Sequence, residues 1–316
     1  MSGENISKEL ICLGVLQESA NSRVIATNIA FNIVFSIIGS LENLLVLVTL
    51  WRSSNLQSPS NTLLYGLALS DLFKGLICGP IVIAWQVVLY NNQLTSCMLP
   101  TIKAAMFTLI IEVALFTMTA INIDRYLAIH FHLRYAEVVT KKRVKIALLC
   151  FLLISGLHSI TLAFHFVAFS HQVMAVIATI CLLAVSFSWI KIYQVMRHHQ
   201  VHIQDHMIAP GHQFNIARFR KTVTNTIIIL FIFFSCYLPY FIVAVVFAFN
   251  IYSPTYTFVL ITHSLILFNS SLNPLLYCWR YRDIRAAAKV TLRKLMCSRM
   301  TASGVRPDAQ QCQPAH

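Results

Sequence analysis

Asn273-Pro274-Leu275-Leu276-Tyr277 closes an apolar stretch and runs at once into Trp279-Arg280-Tyr281-Arg282-Asp283-Ile284-Arg285. A proline inside a membrane helix cannot donate to the backbone ladder, so the carbonyl one turn before it needs a new partner. The basic, amphipathic run that follows has the pattern of a helix lying on a membrane surface. The spacing therefore predicts a spanning helix that ends near residue 279, then a surface helix over 280–297.

Working outward, composition agrees. Of 316 residues, 57% are hydrophobic and only 11% charged, where soluble domains carry about 25% charged residues. The formal charge of +13 could point to nucleic acid, but its distribution argues against that. Lys8 and Arg23 precede the first apolar stretch and Lys74 and Lys103 lie within stretches; the other 20 of the 24 Lys and Arg fall on one side. That is the positive-inside asymmetry, and basic segments beside a membrane also favour anionic lipid.

A spanning helix needs about 20 mainly apolar residues. Seven stretches qualify, at roughly 24–50, 61–89, 98–130, 144–166, 169–196, 222–249 and 256–278. The fold class is thus an all-α seven-helix membrane bundle with a short amphipathic eighth helix. Four regions follow: an extracellular amino-terminal segment over 1–23, the bundle over 24–279, the surface helix over 280–297, and a polar, disordered cytoplasmic tail over 298–316. Residues 1–22 carry Glu4, Glu9 and Glu18 and lack the pattern of a cleavable signal, so the first span is expected to direct insertion. Asn5-Ile6-Ser7 is a glycosylation sequon, Cys297 is a candidate for palmitoylation, and Cys12 and Cys97 are the thiols placed outside, hence a candidate disulfide. His198, His202 and His206 recur every four residues. They could chelate a metal on one helix face, but the plainer reading, a cytoplasmic extension of the fifth helix, is preferred, and no metal site is assigned.

The third stretch ends in Asp124-Arg125-Tyr126, with Leu133-Arg134-Tyr135 just after it. Together with Asn273-Pro274 and the order of the spans, this resembles the rhodopsin-like G-protein-coupled receptors over residues 24 to about 297. Glu42-Asn43, the absence of a cysteine between the fourth and fifth spans, Val185 where most members have proline, and His132 narrow the likeness. The first three are similar to the melanocortin, cannabinoid and lysophospholipid receptors, His132 to a melanocortin pattern, and Leu133-Arg134-Tyr135 with Val138-Val139-Thr140 to adenosine receptors. The resemblance implies a receptor at the plasma membrane with an extracellular amino terminus. It would convert binding of an extracellular ligand into activation of a heterotrimeric G protein, with no enzymatic activity and no cofactor.

Polar groups in the bilayer centre are costly and are functional candidates by default. Asn43, Asp71 and Asn273 match the family's inward polar set, and Asn269 and Ser270 lie one turn before Asn273. In the family, this Asp can hold sodium. Here Ala114 replaces a usual hydroxyl, and Lys74 stands three residues after Asp71, on the same helix face. Its ammonium is expected either to pair with Asp71 in the ion's place or to turn elsewhere in the bundle. The resemblance assigns the coupling switch to Asp124, Arg125, Tyr126, Tyr193, Phe233, Pro239, Pro274 and Tyr277, with Asp124 pairing Arg125 at rest. Counting back from Pro239, Phe219 stands where many members have an acid; beside Arg218, Arg220 and Lys221 this predicts signalling without ligand.

The ligand pocket is expected among Lys103, Phe107, Tyr237, Phe241 and His263. Phe107 stands where amine receptors carry an Asp, and Leu267 where opsins carry the retinal lysine, so an amine or retinal ligand is disfavoured. One basic group over an aromatic wall suits a small anionic or lipid-like molecule, or a peptide; Lys103 reaching up to the headgroups is the alternative. Two other classes compete: a receptor-like scaffold that no longer signals, for which missing tryptophans in spans four and six speak, and a transporter or channel, which would need matched broken helices.

Overall fold

The computed structural model describes residues 21–53, 56–91, 98–131, 134–164, 167–205, 231–246, 249, 256–280 and 282–302. The described chain is helical throughout: α1 (Ser22–Arg52), α2 (Pro59–Tyr90), α3 (Met98–Phe131), α4 (Lys141–Ala163), α5 (Val167–Asp205), α6 (Phe231–Val246), α7 (Tyr256–Arg280) and α8 (Arg282–Ala302). Six are long and apolar enough to cross a membrane, and the described part of α6 is a shorter apolar helix. The protein is a multi-pass membrane bundle. Asn5, Cys12, Cys97 and Phe219 lie outside the described residues, as does the side chain of Cys297.

Caps and prolines set the boundaries. Ser58 accepts from the Asn61 N–H with Pro59 in the first turn, and Thr140 accepts from Arg143 N–H; each satisfies an orphan donor of the first turn. Three residues separate α4 from α5, which matches the very short link expected there. The fifth helix continues to Asp205, so the stretch with His198 and His202 extends α5.

The middle of α2 is not a regular helix. Over Lys74–Cys78 the turn widens, and the Gly79 N–H donates to the Lys74 carbonyl five residues back. Pro80 explains this, because its ring would clash with the carbonyl four residues before it. Gly75 and Gly79 face α1 closely. A Cβ on Gly75 would collide with Ser40 Oγ and the Ser36 carbonyl, and one on Gly79 with Ser36 Oγ. The two glycines let the widened turn approach α1.

The core runs along α3, from Phe107 through Ile111, Ala114 and Leu115 to Met118, and meets Leu67, Tyr237, Ile266 and Leu267. By contrast, α4 turns Leu149, Leu153, Leu157 and Ile160 outward, the face a lipid-facing helix presents. Through Ile284, Ala288 and Thr291, α8 buries one stripe against α1 and α7, while Arg285, Lys289, Arg293 and Lys294 stay exposed.

Candidate functional site

Asp71 is fully buried and sits at the centre of a polar knot. Lys74 Nζ lies 2.8 Å from Asp71 Oδ1, and Ser270 Oγ donates to the same oxygen at 3.1 Å. Asn273 Nδ2 donates to Asp71 Oδ2 at 2.7 Å. Lys74 is 1% exposed, so its ammonium occupies the interior beside the carboxylate. The knot reaches α1 as well. Pro274 leaves the Ser270 carbonyl without its helical donor, and Asn43 Nδ2 fills that role at 2.9 Å while also donating to the Gly39 carbonyl. Asn269 is buried, but its amide bonds to no described residue.

The knot continues upward through Tyr237, where the sequence pattern expects a pocket wall. Lys74 Nζ donates to Tyr237 Oη at 3.1 Å and lies 5.7 Å from its ring centroid. Phe233 stacks on the Tyr237 ring at 4.2 Å and 21°. Tyr237 is thus the floor between pocket and knot. Phe241 lies above it at 6.3 Å.

Nearer the outer end, Phe107 meets His263 edge-on at 4.5 Å, and Tyr240 lies 5.8 Å from His263 and 6.4 Å from Phe107. His263 shares a hydrogen with the Val259 carbonyl at 2.7 Å. A carbonyl only accepts, so His263 Nδ1 carries a proton and donates it. Lys103 Nζ stands 5.4 Å over the ring of buried Trp85, so the side chain turns inward. Sequence reasoning missed Trp85 and Tyr240. Tyr240 follows Tyr237 by three residues, the spacing of one helix face, and could have been read with it.

At the opposite end, Asp124 is buried and accepts from Ser60 Oγ at 2.7 Å and Tyr135 Oη at 2.6 Å. Burial, then the Asp124 hydrogen bond, pushes the Tyr135 phenol above its ordinary range. These two hydroxyls were not foreseen as partners of Asp124, and Arg125 has an interaction of its own. Tyr126 stacks on His130 at 5.4 Å and meets Phe187 of α5 edge-on at 6.2 Å. Tyr193 is 62% exposed and is not drawn into the bundle. Pro239 lies within α6, and Tyr277 is buried at the end of α7.

Two further polar groups have no counterpart in the sequence reading. Asn28, Asn32 and Gln86 bond one another at 3.0–3.2 Å, with Ser264 Oγ on Asn28 Oδ1, tying the outer halves of α1, α2 and α7. Glu112, His158 and Ser170 join α3, α4 and α5, with His158 Nδ1 2.5 Å from Glu112 Oε1. An acid within a span is a functional candidate by default, so Glu112 carried a readable signal.

Two comparisons bear on this arrangement. The model of the 7 transmembrane receptor (rhodopsin family) matches residues 42–277. Melanocortin receptor 4 of Danio rerio is 23% identical over 272 residues, covering 80% of each chain.

Proposed function

This chain belongs to the rhodopsin family of seven-transmembrane receptors, and we propose that it converts binding of an extracellular ligand into activation of a heterotrimeric G protein from the plasma membrane, its amino terminus outside. The observation that carries the reading is the unbroken run from pocket to knot: Phe241 over Tyr237, Tyr237 on Phe233 and on Lys74, Lys74 on Asp71, Asp71 on Asn273. A ligand that presses on the aromatic layer bears on α6, through one hydrogen bond on α2, and through Asp71 on α7. Ligand affinity that differs between two arrangements of α6 is sufficient to shift their populations.

Lys103 inside the aromatic layer favours a ligand with a carboxylate or phosphate on an apolar body, whether a small anion, a lipid or a peptide. Lys74 takes the place at Asp71 that an ion would otherwise hold. Basic residues around Phe219 favour activity without ligand, since like charges about 4 Å apart repel by about 1 kcal/mol even in bulk water.

The test is nucleotide exchange on purified G proteins with ligand-free membranes. We expect exchange above that of membranes lacking the receptor, lowered by Phe219→Glu. Tyr237→Phe, which deletes the hydroxyl that Lys74 holds, should change the exchange rate several-fold, since about 1 kcal/mol is roughly fivefold in a two-state ratio. Exchange at background for the native chain and every variant, across G-protein classes, would leave the scaffold reading.

A further inference from the structure

Glu112, His158 and Ser170 take no part in the run just described. They come from three helices, and each is buried, at 0%, 7% and 3% exposure. His158 Nδ1 lies 2.5 Å from Glu112 Oε1. His158 Nε2 lies 2.9 Å from Ser170 Oγ and 3.2 Å from the Ser170 carbonyl oxygen.

The two Ser170 atoms suit two charge states of one ring. A neutral imidazole that donates from Nδ1 to Glu112 has a lone pair at Nε2, and the Ser170 hydroxyl can donate to it. A doubly protonated ring has an N–H at Nε2, and the Ser170 carbonyl accepts from it. Neither state leaves a ring nitrogen unsatisfied. His263, with Nδ1 on a carbonyl of its own helix, has no such second arrangement among its described hydrogen bonds.

Charge gives a second, independent reason. With a neutral ring, Glu112 is a bare carboxylate in the apolar interior, and its Oε2 has no described hydrogen-bond partner. The buried partner of Glu112 is His158, and Lys74 is paired with Asp71; among the described residues no lysine or arginine is paired with Glu112. A buried charge without compensation is costly. One added proton makes the Glu112–His158 pair neutral overall, whichever of the two holds it. Imidazole is also the side chain whose ordinary titration spans physiological pH.

Position supplies the link to the rest of the bundle. Ser170 is the fourth residue of α5, and His158 lies one turn and a half before the end of α4. Both are at the end of the bundle opposite the basic Lys141–Arg143 stretch. We propose that Glu112, His158 and Ser170 form a proton-binding site that couples pH at this end of the bundle to the packing of α5 against α3 and α4. The proton-loaded site holds the three helices together, and loss of the proton loosens them. Among the described residues, the Cys181 thiol from α5 and the Tyr240 phenol from α6 lie near enough to Glu112 to feel its charge. His171 adjoins Ser170 on α5 itself.

The experiment uses the full chain in nanodiscs, with the thermal unfolding midpoint and ligand-free nucleotide exchange followed from about pH 6 to about pH 9. For the native receptor the midpoint should fall as pH rises, and exchange should change over the same window. Glu112→Gln, whose amide carries no charge, should remove both changes. Ser170→Ala removes the hydroxyl that serves the neutral ring and keeps the carbonyl that serves the charged one. It should move the fall to higher pH by up to about one unit, tenfold in proton affinity. His171→Gln should keep the native profile. Superimposed native and Glu112→Gln profiles would overturn the proposal, as would loss of the fall in His171→Gln. If Glu112→Gln does not fold, a Ser170→Ala profile identical to the native one overturns it instead. The unfolding profile needs no G protein, so its outcome is separate from that of the signalling reading.

Discussion

Asp71–Lys74 is a sealed ion pair and Glu112–His158 a sealed carboxyl–imidazole pair, and the two are built in opposite ways. The first joins two residues three apart on α2; the second joins residues 46 apart on α3 and α4. The first is wrapped by donors from Ser270 and Asn273, and its cation has a further partner in Tyr237. The second leaves one carboxylate oxygen without a described partner. A lysine ammonium held against a carboxylate keeps its charge at neutral pH and needs a fixed set of partners, whereas an imidazole can shed its proton. The bundle therefore holds one pair suited to permanent charge and one suited to change.

Breaking each pair should separate them most. Asp71→Asn strands the Lys74 ammonium in the interior and should cost about 3–5 kcal/mol. Glu112→Gln leaves an imidazole that can become neutral on Ser170, so its cost should be smaller, about 1–3 kcal/mol. Denaturation of the two variants in matched nanodiscs checks this, and equal losses would erase the distinction.

A medium effect concerns sodium. With Lys74 at Asp71, the native unfolding midpoint should be unchanged when sodium replaces a bulky organic cation at equal ionic strength. Lys74→Leu frees the carboxylate, and sodium should then stabilise the variant by about 1 kcal/mol at a concentration fivefold above its dissociation constant. A sodium effect on the native chain, or none on Lys74→Leu, would show that the ammonium does not stand in for an ion.

The smallest effect should come from Ser270→Ala. It removes one of three donors to Asp71 and keeps the other two, so stability should drop by about 0.5–1.5 kcal/mol with ligand-free exchange nearly native. A larger loss would mean that the knot behaves as one cooperative unit, which the double variant with Tyr237→Phe would measure as non-additivity.

Much of the fold is legible in the amino-acid sequence. Helices that cross a bilayer must satisfy their backbone internally and be apolar over a fixed length, so seven spans could be counted along the chain. The positions of Asp71 and Lys74 were legible for the same local reason, since helical spacing puts i and i+3 side by side. The widened turn at Lys74–Cys78 was not read, although Pro80 carried its signal. The sequence pattern puts Tyr237 in the pocket; its bond to Lys74 depends on α6 lying against α2, which no local spacing specifies.

By itself the sequence determined the spans, their order, the basic side, the proline that frees the Ser270 carbonyl and the carboxylate and ammonium on one face of α2. All follow from rules that act within a few residues or over one membrane thickness. Only the tertiary structure decided that Asn43 takes the Ser270 carbonyl, that Lys103 turns onto Trp85, and that His158 and Ser170 close on Glu112. Each of these pairs residues from different helices. Which face of one helix meets which face of another is settled by the packing of the whole bundle, and a polar group in its interior takes whichever partner that packing supplies.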